Sequence, residues 1–314
     1  MSIVLIFGKN GAATVLSQHW QNALKEIAPE MDIELYPNVK NAEKIEFAIC
    51  WSQPKGVFNE FKNLKCISSL GAGVNHILAD KSIKPDIKIV RVIENQLTRD
   101  MTHYAIQSVL NITRMQQRFI DAQKNKIWDQ KTPFNLTDQI TVGVMGLGAI
   151  GKSILEALHY LQIKTIGFSK NKKDIKGIKT YAENEFSQFL NQSNILLSVL
   201  PLTPETTGII NKNTIRQLPK NAYIINIGRG SQIIDDDLLD ALNNNHLSGA
   251  KLDVFHQEPL PESHPFWQHP KIDITPHNAS VSNPKIVAKH IIENYYRLKN
   301  NQELVNLVNR NSGY

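Results

Sequence analysis

Residues 142–153 read VGVMGLGAIGKS. An apolar run of strand character leads into glycines at 146, 148 and 151, and a helical pattern, ILEALHYL, follows. Glycines at this spacing between a strand and a helix have a physical purpose. Gly146 permits a tight turn, Gly148 lets a ligand approach the backbone, and Gly151 lets helix and strand pack closely. The helix start offers unbonded N–H groups and the positive end of a dipole, which suits a pyrophosphate. Gly146, Leu147, Gly148, Ala149, Ile150 and Gly151 are therefore expected to cradle a dinucleotide at the head of a doubly wound parallel sheet.

Outward from this stretch the chain alternates strand-length apolar runs with helical patterns, as parallel βαβ units require. Downstream, strands are expected at 140–145, 164–168, 194–200, 222–228, 249–255 and 271–275. Helices are expected at 148–161, 183–191, 235–243 and 283–298. Upstream, strands are expected at 3–7, 31–36, 45–50, 65–69 and 88–92, with helices near 15–27, 57–62 and 74–79. One long amphipathic helix is expected over 99–122, with Ile106, Val109, Leu110 and Thr113 at helical spacing, followed by an exposed connection through 124–139. The expected fold is α/β: two doubly wound, Rossmann-like or flavodoxin-like domains with a cleft between them. Residues 1–97, completed by 287–314, form one domain and residues 98–286 the dinucleotide-binding one.

The 314 residues, 41% hydrophobic and 20% charged, suit two ordinary globular domains. No apolar run approaches the ~20 residues that span a bilayer, and the opening MSIVLIFGKN reads as a strand and not a leader, so no membrane partner is expected. Cys50 and Cys66 stand apart, without metal-ligand or CxxC spacing, and suggest reduced thiols in a cytoplasmic protein with no metal centre. The net charge of +6 comes from lysines scattered along the chain, which describes a solvated surface and not a nucleic-acid footprint.

Eighteen residues beyond Gly151, in TIGFSKNKK (165–173), stands Ser169, followed by Lys170. A carboxylate at the end of this strand would accept hydrogen bonds from the ribose hydroxyls of NAD. Against the 2′-phosphate of NADP it would be repelled by several kcal/mol, taking ~5 Å and an effective dielectric of ~20. Ser169 and Lys170 remove that repulsion and add donors, so NADP(H) is expected over NAD(H). A polar loop facing water is the plainer alternative.

Three further strand ends carry charged residues. NIGRG places Arg229 between two glycines, KLDVFHQEPLP carries Asp253 and then Glu258, and DITPHNAS presents His277. Strand ends in such sheets converge on a ligand crevice. Arg229 could pair with a carboxylate and polarise a keto oxygen, His277 could donate a proton, and Glu258 could orient the imidazole and raise its pKa. Singly, each could be a strand cap, a surface residue or a satisfied loop histidine. Together they suit reduction of a 2-keto acid.

The segments GLGAIGKS, LPLTPETTGIIN, NIGRG, LDVFHQEPLP and ITPH resemble the D-isomer-specific 2-hydroxyacid dehydrogenase family over residues 140–278. Within it, GAGVNHIL, FSKNKK, PFWQHPKIDITPH and the terminal SGY are most similar to glyoxylate/hydroxypyruvate reductases of the A type. The resemblance implies that Arg229, Glu258 and His277 are catalytic, and that Asp253 holds the nicotinamide carboxamide. It implies that Leu200, Pro201, Thr206, Ile227 and Gly228 line the cofactor cleft. The backbone of Leu70, Gly71, Ala72, Gly73 and Val74 would bind the substrate carboxylate beside Trp51, and the 99–122 helix would pack in a homodimer. Asn278-Ala279-Ser280, and Arg99 with Asp100, depart from the family pattern. The expected activity is NADPH-dependent reduction of glyoxylate or hydroxypyruvate to glycolate or D-glycerate. The alternatives are an NAD-dependent D-2-hydroxyacid dehydrogenase for another or bulkier 2-keto acid and a non-enzymatic NADPH-sensing binding protein.

Overall fold

The computed structural model describes residues 2–8, 15–130 and 139–310. The terminal SGY and half of the connection expected over 124–139, residues 131–138, lie outside these. The described chain divides into two compact units, residues 1–94 with 281–314, and residues 95–280. The divisions fall a few residues before the expected 97 and 286.

In the first unit, strands β1 (Ser2–Phe7), β2 (Ile33–Leu35), β3 (Ile45–Trp51), β4 (Cys66–Ser69) and β5 (Lys88–Val90) form one parallel sheet in the order β2-β1-β3-β4-β5. Its strands β1, β3 and β4 are largely buried on both faces, as a sheet covered on both sides demands. Helices α1 (Val15–Ile27) and α2 (Asn75–Leu78) belong to this unit. So does a helix from the far end of the chain, Pro284–Lys299. That helix packs on α1, burying Val287, Ile291 and Tyr295 with Trp20 and Leu24, and Tyr295 meets Phe47 edge-on at 6.1 Å. Full burial of a side chain of this size contributes about 1.5–3 kcal/mol, so the C-terminal segment is part of this core.

The second unit begins with α3 (Asn95–Thr113) and α4 (Gln116–Lys124), where one helix was expected. Arg114 N–H turns back to Leu110 O and Met115 N–H to Ile112 O, and Met115 adopts a left-handed φ of 55°. Beta-branched Ile112 and Thr113 precede the break, and the Thr113 hydroxyl bonds Leu110 O, competing with the helix ladder. Next come β6 (Thr141–Met145), α5 (Ala149–Tyr160), β7 (Lys164–Phe168), β8 (Lys179–Tyr181), α6 (Phe186–Leu190) and β9 (Ile195–Ser198). The unit ends with α7 (Lys212–Arg216), β10 (Ala222–Asn226), α8 (Asp235–Asn243), β11 (Leu247–Leu252) and β12 (Ile272–Ile274), and the C-terminal helix Pro284–Lys299 is α9 of the chain. All seven strands pair in parallel, in the order β12-β11-β10-β9-β6-β7-β8. The sequence reading had no strand at β8, a three-residue Lys-Thr-Tyr edge strand too short and too polar to show a pattern.

The register of this sheet positions the candidate site. Met145 pairs with Phe168 on one side and with Ser198 on the other. Ser198 pairs with Asn226, Asn226 with Leu252, and Leu252 with Ile274. Six strands thus end level. The residues just past that row are Ser169, Gly146, Leu200, Arg229, Asp253 and His277. Chain order reverses at β6, the place where sheets of this kind hold ligands.

Candidate active site

After β6 the chain turns at Gly146, with φ of 100°, where a Cβ would fall 3.0 Å from Val199 O. A Cβ on Gly151 would fall 1.7 Å from Gly146 O, so helix and turn touch backbone to backbone. Gly148, by contrast, faces open space, and no side chain caps the first turn of α5 behind it. The exposed Gly148 and Ala149 therefore leave a cradle at a positive helix end with room for a pyrophosphate, and the residues present fit a dinucleotide. Beside it, Leu200 is buried, and Pro201 O accepts the Thr206 hydroxyl at 2.7 Å, which fixes the 201–206 turn.

At the end of β7, the Ser169 hydroxyl donates to Asn171 O at 2.7 Å, and the Lys170, Lys172 and Lys173 side chains are exposed. Lys172 pairs with Glu185 at 3.2 Å. Lys170 lies near enough to Glu205 to help hold that carboxyl below its usual range, after the Thr203 hydrogen bond and the local backbone. No carboxylate occupies positions 169–173.

Arg229 follows β10 between glycines that both have steric reasons. A Cβ at 228 would meet Gln232 Oε1 at 2.7 Å, and one at 230 would meet the Phe255 backbone at 1.9 Å. Buried Ile227 and Gly228 lead into it, Asn226 Oδ1 accepts Gly228 N–H at 3.1 Å, and Asn226 Nδ2 donates to Arg229 O at 2.9 Å. The guanidinium donates to Gly228 O at 2.6 Å. Loss of water lowers its pKa while the Glu258 charge opposes that, and an arginine remains cationic through such a change.

Glu258 and His277 meet: His277 Nδ1 and Glu258 Oε2 stand 2.7 Å apart, with 34% and 37% of their side chains exposed. Desolvation works against the Glu258 carboxylate. The His277 and Phe255 N–H hydrogen bonds and the His277 and Arg229 charges outweigh it, so its pKa lies below the ordinary value. The structure thus brings both Arg229 and His277 within electrostatic reach of Glu258.

His277 has a left-handed φ of 55°. Its N–H donates to Asp253 O at 2.8 Å, and Asn278 and Ala279 N–H donate to the Asp253 carboxylate at 2.9 and 3.0 Å. Thr275 also donates to that carboxylate, at 2.6 Å, so the Tyr104 hydroxyl, 2.5 Å from Thr275 Oγ1, is itself a donor. Asp253, expected as a cofactor contact, is 1% exposed and is engaged in clamping the histidine loop. Sequence reasoning missed this clamp and missed Gln232, wholly buried beside Arg229. The only signal for either was a polar residue in an apolar run.

In the first unit, Trp51 ends β3 half-buried, its ring 4.9 Å from that of His76. The loop after β4 passes beneath it: a Cβ on Gly71 would fall 3.1 Å from Trp51 Cζ3. Leu70 N–H donates to Cys50 O and Gly71 N–H to Ser69 Oγ, which takes two of the expected carboxylate donors. Ala72 and Gly73 N–H have no hydrogen bond among the described residues. The two cysteines are buried and free; burial pushes the Cys66 thiol up to about 12 and also raises Cys50. Among the described residues no helix is long and apolar enough to cross a membrane.

Residues 106–279 match the NAD binding domain of the D-isomer specific 2-hydroxyacid dehydrogenases. Over its whole length the chain is similar to an enzyme of that description from Xanthobacter autotrophicus Py2, solved with NADPH and MES: 31% identity, 99% of that chain covered, TM-score 0.91. An NADPH-dependent glyoxylate/hydroxypyruvate reductase of Sinorhizobium meliloti, solved with NADP and sulfate, is 28% identical over 100% of this chain and 99% of its own, with a TM-score of 0.92. A probable 2-hydroxyacid dehydrogenase of Rhizobium etli CFN 42, solved with NADP, HEPES and L(+)-tartaric acid, is 31% identical over 100% of both chains, with a TM-score of 0.89. The chain belongs to the D-isomer specific 2-hydroxyacid dehydrogenases, nicotinamide-dependent oxidoreductases acting on the CH–OH group of 2-hydroxy acids.

Proposed function

We propose that this chain is an NADPH-preferring reductase of a small 2-keto acid, glyoxylate or hydroxypyruvate, yielding glycolate or D-glycerate. The observation that carries the reading is the 2.7 Å Glu258–His277 hydrogen bond with Arg229 in electrostatic reach. When bound, the reduced nicotinamide supplies the hydride that the keto carbon accepts. Arg229 pairs with the substrate carboxylate, and its charge draws electrons toward the keto oxygen. His277 keeps Nδ1 on Glu258, so Nε2 is the nitrogen that gives its proton to that oxygen. After the transfer, the proton left on Nδ1 stays hydrogen-bonded to Glu258, which holds the ring in place. Carbon has then gained a hydride and oxygen a proton, which completes the 2-hydroxy acid.

NADPH preference is supported by Ser169 and Lys170 standing where a carboxylate would repel the 2′-phosphate, and by relatives solved with NADPH or NADP. The free Ala72 and Gly73 amides suit a carboxylate, and the Trp51 indole suits the wall of a small pocket. We further propose a cytoplasmic homodimer joined through the α3 face of His103, Ile106, Gln107, Leu110 and Asn111, which lines a cavity of about 410 Å³.

The test is initial rates of NADPH and NADH oxidation with glyoxylate, hydroxypyruvate and pyruvate, compared as kcat/KM. Preference for NADPH with the first two is the expected result. Equal use of NADH reduces the lysine turn to surface charge. Tight NADPH binding without turnover of any keto acid overturns the catalytic reading in favour of a sensor.

A further inference from the structure

Gln232 is 0% exposed, and all four hydrogen-bonding positions of its amide are occupied. Its Nε2 donates to Leu200 O at 2.8 Å and to Pro201 O at 3.3 Å. Its Oε1 accepts the Ser198 hydroxyl at 2.9 Å and the Arg229 N–H at 3.3 Å. The amide cannot be turned over, because the two carbonyls only accept and the Arg229 N–H only donates. Glycine at 228 makes the space, since a Cβ there would stand 2.7 Å from Oε1.

No other side chain meets these demands at this length. Glutamate offers acceptors alone, histidine one donor and one acceptor, and leucine neither. One buried group thus joins the backbone that carries Arg229 to the 200–201 segment, which lies against the Gly146 turn.

We propose that Gln232 is a positioning residue that sets Arg229 against the Leu200–Pro201 segment, tying keto-acid binding to cofactor binding through one amide. The inference rests on the reductase reading above. Wild-type protein that turns over no keto acid defeats that reading. Turnover in wild type, together with indifference to Gln232, defeats this inference alone.

The experiment compares Gln232→Glu, Gln232→Leu and Ser198→Ala with wild type. It measures NADPH Kd by nicotinamide fluorescence, KM for glyoxylate, kcat, and thermal melting by circular dichroism. Gln232→Glu keeps the acceptor for Arg229 N–H but sets a carboxylate against two carbonyls. It is expected to weaken NADPH about tenfold while glyoxylate KM changes less than about threefold. Gln232→Leu is expected to raise NADPH Kd and glyoxylate KM about tenfold each. In an Arg229→Lys background, Gln232→Leu should add nothing to glyoxylate KM and still weaken NADPH. Ser198→Ala, which removes one of the two donors to Oε1, should raise both constants about two- to threefold. Folded variants with wild-type constants and a lowered melting temperature overturn the proposal. So does an unchanged Ser198→Ala alongside Gln232 variants that fail to fold, which assigns the amide to folding alone.

Discussion

The turn after β6 and the turn after β4 both contain glycines, yet they are supported by different materials. At Gly151 an added Cβ would fall 1.7 Å from a backbone oxygen, and Gly146 combines a left-handed φ with backbone 3.0 Å away. At Gly71 the nearest atom is 3.1 Å away and belongs to the Trp51 ring, a side chain that can tilt. The turn in the second unit therefore tolerates no side chain at 146 or 151, while that in the first unit has give at 71. Backbone against backbone fixes one geometry at the 146–151 turn, and the Trp51 ring can yield where it meets Gly71.

Substitutions can break or sharpen this contrast. If the chemistry belongs to the second unit, His277→Ala lowers kcat about 10²–10⁴-fold with NADPH Kd unchanged, as single-turnover rates and fluorescence titration would reveal. Arg229→Ala should lose about 3–4 kcal/mol of transition-state stabilisation in kcat/KM, and wild-type turnover would remove it from the mechanism. Gly151→Ala should weaken NADPH and destabilise the fold by about 1–3 kcal/mol, read by titration and urea melts. Asp80, in the first unit, is 8% exposed and accepts hydrogen bonds from Gly56 N–H, Ser82 N–H and the Ser82 hydroxyl. Although burial opposes its charge, these bonds and Lys55 hold its pKa below the usual ~3.9. Its stabilisation is thus present above that ordinary value and lost as pH falls through the depressed one. Asp80→Asn should flatten the acid end of a stability–pH curve. Gly71→Ala should have the smallest effect, a few-fold rise in keto-acid KM relieved by Trp51→Phe, and a loss as large as that of Gly151→Ala would erase the contrast.

Much of the second unit was legible in the sequence because its signals are local. Apolar strands, a glycine turn and charged residues at strand ends lie within a few positions of one another, and the level register of the sheet gathers them. What escaped depends on partners far along the chain. Lys172 is counterbalanced by Glu185, Gln232 reaches back to Ser198, and Asp253 takes its donors from the 275–279 loop. The α3–α4 break and the β8 edge strand escaped for the opposite reason, since each is settled by two or three residues that leave the wider periodicity intact.

The left-handed backbone of His277 has a consequence for how this protein can be improved. A non-glycine residue held there carries strain of about 1–3 kcal/mol. His277→Gly would relieve that strain at the cost of the Glu258 hydrogen bond and, on the reading proposed above, of the proton donor. A screen that rewards survival on heating weighs only the strain against the hydrogen bond, and a screen that also demands turnover would keep the imidazole.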